Sequence, residues 1–128
     1  MGKAPRISEA EWAVASVLWA AGPLTAVEVM ERLPPGHSWA QKTVNTFLTR
    51  LVDKGVLRVE RVGKANRYNA RVSRDVCVRE ESRSFMDRVF GGAAAPTVAH
   101  FLEHADLSPR EVAELQEILA RRRRKTVG

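Results

Sequence analysis

What this chain can fold into is limited most by residues 38–71, which read as a helix apolar on one side only, a glycine stop and a short cationic hairpin. Val44, Phe47, Leu48, Leu51 and Val52 fall at i, i+3, i+4, i+7 and i+8, the spacing of a helix that buries one face. The opposite face carries Lys42, Thr46, Thr49, Arg50 and Asp53, with Thr43 and Asn45 on its flanks. Gly55 stands where a helix ends in a left-handed residue. Gly63-Lys64 fits a two-residue type II′ turn with glycine at its first central position. That register pairs Val62 with Ala65, Glu60 with Arg67, Val59 with Tyr68 and Leu57 with Ala70. Side chains alternate between faces, so Leu57, Val59, Tyr68 and Ala70 are predicted to form a core face. Arg58, Glu60 and Arg67 share the other face, with Lys64 at the tip and Arg61 close by. A helix offering Lys, Thr and Asn to solvent, followed by a cationic hairpin, is the arrangement with which a winged helix-turn-helix reads duplex DNA.

Charge is distributed to match. The net charge is +6, and residues 38–71 alone hold eight Lys/Arg against Asp53 and Glu60. The run Arg121–Lys125 adds five positive charges, read as a solvated helix end favoured by the helix dipole, whereas residues 72–120 are net negative. Positive charge therefore gathers on the helix and hairpin, as a polyanion site requires.

Capping signals place the remaining helices. Ser8-Glu9-Ala10-Glu11 is a capping box with Ile7 and Trp12 as staple, opening a helix that runs to about Ala21 and ends at Gly22-Pro23. Thr25-Ala26-Val27-Glu28 repeats the device for a short helix to Leu33, ended by Pro34-Pro35-Gly36. Ser38 or Ala40 begins the third helix. Three helices and a hairpin, residues 1–72, make a winged-helix domain in a mostly α chain with a small β-hairpin. Beyond it, Ser73 can cap a long helix to Phe90, stopped by Gly91-Gly92. Another helix begins near Pro96, and Ser108-Pro109-Arg110-Glu111 caps a last one predicted to bury Val112, Leu115, Ile118 and Leu119.

The helices of residues 73–128 are each apolar along a single stripe: Phe85, Val89 and Phe90, then Val98, Phe101 and Leu102, then Leu115 and Leu119. Such stripes need partners. A second copy of the chain supplies them and places two recognition helices on two half-sites; the alternative is back-packing on the winged helix.

Other chemistries find little support. One cysteine, Cys77, rules out an intramolecular disulfide and any CxxC metal motif. His100 and His104 stand four apart but lack a fixed third ligand, so no metal or other cofactor is expected. No catalytic arrangement and no Gly-rich phosphate loop occurs, so no enzyme is expected. The longest nearly apolar run, Trp12 to Ala21, is too short to span a bilayer, and the chain reads as cytoplasmic with no membrane partner. The rival readings are a ligand-gated regulator of the MarR kind, which needs an apolar pocket, and a winged helix used as a protein-interaction module, which would tend to lose the cationic hairpin.

The order and spacing of several short motifs resemble the BlaI/MecI/CopY penicillinase-repressor family. They are Glu11-Trp12, Leu18-Trp19, Pro23-Leu24-Thr25-Ala26, Lys42-Thr43-Val44, Leu51-Val52-Asp53-Lys54-Gly55, Arg83-Ser84-Phe85 and Gly91-Gly92, spread from Ile7 to Leu119. The resemblance implies a homodimeric repressor of inverted-repeat operators, with base-reading positions at Lys42, Thr43, Asn45 and Thr46. Arg50, Arg58, Arg61, Lys64 and Arg67 are expected on backbone and wing contacts. The chain departs from the family pattern at Asn45, where a long polar residue is common, and at Ala40-Gln41, where Ser-Pro is frequent. The resemblance also implies control by a protease or upstream sensor acting on the dimerisation region, where the pair matching the family's Asn-Phe cleavage site is His100-Phe101.

Overall fold

The computed structural model describes residues 6–127, which form six helices and one three-stranded antiparallel sheet. Two compact units divide the chain, the first ending at Ser84 and the second starting at Phe85.

In the first unit α1 (Glu9–Ala21) opens on the expected capping box. The Glu11 N–H donates to Ser8 Oγ at 3.2 Å and the Ser8 N–H donates to Glu11 Oε1 at 2.8 Å. α2 (Ala26–Arg32) opens on the same device at Thr25 and Glu28. Thr25 has a second role that no sequence pattern reveals. With Leu24 it forms β1 (Leu24–Thr25), an edge strand paired to Tyr68 and Arg67. Two residues are too few to show alternation, so backbone pairing alone defines that strand.

α3 (Gln41–Asp53) starts at Ala40, which offers no side-chain cap, rather than at Ser38. Its apolar stripe is buried as its spacing demands: Val44, Leu48 and Leu51 are fully enclosed, and Phe47 and Val52 pack at the edge of the core. These meet Val14, Ala15 and Leu18 of α1 and Val29 of α2, with Leu24 and Leu57 closing the sheet side. Each fully buried Val or Leu contributes about 1.5–3 kcal/mol, so a core of this size holds the unit together. Gly55, at φ +81°, turns the chain out of α3 through a bond from the Val56 N–H to the Leu51 carbonyl at 3.0 Å; any side chain there would be strained. Trp19 and Trp12 flank the core with ring centroids 5.4 Å apart, and the Trp19 indole N–H donates to the Val72 carbonyl at 3.0 Å.

The hairpin β2 (Leu57–Val62) and β3 (Ala65–Ala70) has the predicted register at every position. Gly63 has φ +63° and no described non-glycine residue has positive φ, so the turn is type II′ and not I′. The predicted core face is only partly covered. Leu57 is buried, Tyr68 and Ala70 are half-buried, but Val59 is 44% exposed. Only the base of the ribbon touches the core; its outer half projects as a wing.

Ser73 caps α4 (Arg74–Phe90), its hydroxyl accepting from the Val76 N–H at 3.2 Å. Cys77 is buried with the core of the first unit, so that unit reaches beyond Val72 where the sequence pattern changes. In the second unit α5 (Ala94–His104) begins earlier than expected. Ala94 and Ala95 form its first two residues and Pro96 the third, since an N–H there has no helical acceptor and proline costs little. α6 (Pro109–Val127) opens on the third capping box, with Ser108 and Glu111 bonded reciprocally at 2.9 and 3.1 Å. Its apolar stripe forms but is not buried as predicted: Val112, Ile118 and Leu119 are 38–55% exposed and Leu115 is half-buried. Val89, Val98, Phe101 and Leu102 are likewise exposed. Phe85 gathers Phe90 and Phe101 at 6.1 and 5.9 Å, the beginning of a cluster rather than a closed core. No described helix is long and apolar enough to cross a membrane.

Candidate nucleic-acid interface

Burying Val44, Leu48 and Leu51 turns the other side of α3 outward. Lys42, Asn45, Thr46, Thr49 and Arg50 are exposed there, while Thr43, on the flank, is half-buried. Hydrogen bonds decide what each offers. Gln41 Nε2 donates to the Ala26 carbonyl at 3.1 Å and to Asn45 Oδ1 at 3.0 Å. This bond ties the start of α3 to the start of α2 and occupies the Asn45 oxygen, leaving its amide N–H groups free to donate. The Thr46 hydroxyl donates to the Lys42 carbonyl at 3.1 Å and Thr49 to the Asn45 carbonyl at 3.0 Å. With its proton committed, each hydroxyl presents lone pairs and a methyl group to solvent. The face thus carries donors at Lys42 and Asn45 and acceptors at Thr46 and Thr49.

On the wing, Arg58, Glu60, Arg67 and Val62 share one face, and Arg61 and Asn66 continue the face of Leu57 and Val59 past the core. Arg58, Arg61, Lys64 and Arg67 are all exposed. Arg67 sits in the central strand between Thr25 and Glu60. Glu28 is close enough to sense it: the Thr25 N–H and hydroxyl hold the Glu28 carboxyl below its ordinary value, with Arg67 and Arg32 adding to the effect. Arg58, Arg61, Lys64 and Arg67 together form the wing's outward positive field. An open groove of about 290 Å³ separates α3 from the wing, bordered by Asn45, Thr25, Val27, Ala65, Asn66 and Tyr68.

One basic residue counted with this surface belongs elsewhere. Lys54, at the end of α3, turns inward: its Nζ donates to Glu11 Oε1 at 2.5 Å and to the Arg6 carbonyl at 2.7 Å. Glu11 is almost completely enclosed, and burial opposes its ionisation. The Lys54 ammonium and the Ser8 N–H outweigh that cost and bring the carboxyl below its usual range. The sequence places Glu11 in a capping box and a family motif but not in an ion pair, because nothing local links positions 11 and 54. Cys77 is buried, and burial followed by the nearby Glu80 carboxylate pushes its thiol up, away from the reactive thiolate. His100 packs among Phe90, Phe101 and His104, with ring centroids 5.8, 5.5 and 4.5 Å away. No described group of three or more His, Cys, Asp or Glu could hold a metal.

A helix exposed along one face, packed on two others and followed by a projecting cationic ribbon defines a winged helix-turn-helix protein. The model of the penicillinase repressor family matches residues 7–121, and the chain belongs to that family, one of transcriptional repressors and not of enzymes. The penicillinase repressor of Bacillus licheniformis is 34% identical over 119 residues, 93% of each chain. The solution structure of the monomeric form of B. licheniformis BlaI in complex with the blaP half-operator is 33% identical. It covers 59% of this chain and 92% of that one, with a TM-score of 0.50. A mutant of E. coli MarR complexed with operator DNA superposes with a TM-score of 0.51 over 90% of this chain and 74% of that one. At 20% identity, that likeness shows the fold alone.

Proposed function

We propose that the chain is a cytoplasmic transcriptional repressor that binds duplex DNA as a homodimer on an inverted-repeat operator. The observation that carries this reading is the outward face of α3, beside a cationic wing, in a chain that matches a repressor family along nearly its whole length. α3 enters the major groove, where Lys42 and the Asn45 amide meet purine N7, guanine O6 or thymine O4. Thr46 accepts from an amino group or packs its methyl on thymine. Thr43, half-covered, approaches the groove from its edge. Arg50, Arg58, Arg61, Lys64 and Arg67 fix the register by holding phosphates.

The segment from Ser73 onward is the dimerisation region. Its exposed apolar residues (Val89, Val98, Phe101, Leu102, Leu119) are too numerous for a surface facing water alone, and a symmetric copy covers them together with Phe85, Phe90 and Leu115. Any inducer, whether a protease, an upstream sensor, a ligand or a metal, would need only to disturb the segment around His100-Phe101 to release the DNA. Those residues lie within α5, so cleavage there requires that helix to open locally.

Binding of labelled duplex DNA as a function of salt tests this function. Log affinity should fall linearly with log salt, by about 0.9 for each phosphate neutralised. A flat dependence would overturn the assignment. Sedimentation decides the assembly: an intact chain that remains monomeric at micromolar concentration contradicts the dimer.

A further inference from the structure

The loop leading into α3 holds an aromatic stack that the base-reading face does not use. His37 lies over Trp39 with ring centroids 4.4 Å apart and planes 30° apart, and Trp39 meets Phe47 of α3 edge-on at 5.1 Å. At about 100° per residue along the helix, Phe47, Thr43 and Arg50 project from one flank of the reading face and Asn45 from the other. The Asn45 flank borders the groove to the wing. The reading face is thus bracketed, by the wing on one side and by the His37–Trp39 stack on the other. A helix seated in the major groove has a phosphate strand along each side.

We propose that His37, as an imidazolium held over the Trp39 indole, contacts the backbone phosphate on the side away from the wing, so that DNA binding takes up a proton. This rests on the DNA-binding reading above. His37 is exposed and has no ion-pair partner among the described residues. The charged groups on the two helices that its loop joins are Glu28, Glu31 and Arg32 on α2 and Lys42, Arg50 and Asp53 on α3. Pro34 and Pro35 restrict the loop, so the stack is held near α3 at low entropic cost. Histidine is the side chain whose charge changes near neutral pH, and a phosphate beside it favours the cationic ring. The gain is therefore complete at low pH and is lost as pH rises.

Fluorescence anisotropy of the full chain with a fluorescein-labelled random-sequence duplex, from about pH 5.5 to 8.5, reads the effect. Affinity of the intact protein should rise at least about 5-fold per protomer on acidification. The salt slope should steepen by about 0.9 at the acid end. H37Q should bind with the high-pH affinity throughout, and H37K should bind tightly at every pH. The other two histidines, His100 and His104, lie in the second unit, and the double variant H100Q/H104Q should keep the rise. A rise that survives in H37Q, or no rise in the intact protein, overturns the proposal. Failure of the intact chain to bind at any pH or salt is a separate result, which removes the DNA-binding reading and this contact together.

Discussion

Replacing Lys54 by methionine keeps most of the aliphatic stem but removes the ammonium that neutralises the buried Glu11 carboxylate. The Lys54 side chain is 28% exposed and that of Glu11 only 2%, so the two partners are not equivalent. Without Glu11, Lys54 can reach water. Without Lys54, Glu11 keeps only the Ser8 N–H at 2.8 Å. Breaking a buried pair by removing one partner costs about 3–5 kcal/mol; the retained Ser8 bond and the partial exposure reduce this to about 2–3 kcal/mol for K54M. E11Q, which keeps the cap bond and frees a lysine that can be solvated, should cost about 1 kcal/mol. The pH dependence gives the sharper test. In the intact protein the Glu11 carboxyl lies below its ordinary 4.5, so its contribution is full above that value and is lost as pH falls through the folded-state value. In K54M burial dominates and the carboxyl should rise above 4.5. Its penalty is then full at neutral pH and disappears as pH falls toward the unfolded value. The gap between the two proteins should therefore be widest at neutral pH and should narrow in acid. Urea unfolding followed by tryptophan fluorescence measures it, with an expected midpoint shift at neutral pH of about 1 M or more. A K54M protein within about 0.5 kcal/mol of the intact one at neutral pH, a spread typical of surface substitutions, would refute the argument.

Three further outcomes are expected. L48A, at a fully enclosed position of α3, should lose about 2–5 kcal/mol in the same unfolding assay. K64A and R67A should each weaken binding to all duplexes about equally and lower the salt slope by about 1. A chain ending at Gly92 should stay folded in its first unit, sediment as a monomer, and bind an inverted repeat about 10²–10⁴-fold more weakly than the intact chain.

Much of the fold was legible because its signals are local. Capping boxes at Ser8, Thr25 and Ser108, the stripe from Val44 to Val52, and the Gly63-Lys64 turn each specify structure within a few residues, and each forms as read. Misses occurred where distant parts of the chain decide the outcome. β1 exists only because β3 pairs with it, and Lys54 leaves the basic surface only because Glu11 meets it across the core. Val59 alternates correctly yet stays exposed because the ribbon extends past the helices that would cover it. The stripe of α6 has helical spacing, but spacing does not provide the surface needed to bury Val112, Ile118 and Leu119. At the candidate interface, residue types and faces were readable from periodicity. The donor and acceptor roles of Asn45 and Thr46 were not, since they depend on bonds to Gln41 and to the Lys42 carbonyl.

Selection of duplexes from a random library, run in parallel with the intact protein and with T46A, tests the outward face of α3 as the reader most directly. The intact protein should enrich an inverted repeat whose half-sites lie about one helical turn apart, or a multiple of it. T46A should enrich the same repeat with preference relaxed at one base pair of each half-site, by about 1–3 kcal/mol. Enrichment of no motif by the intact protein, or an identical motif with and without Thr46, would contradict the assignment of α3 as the reading helix.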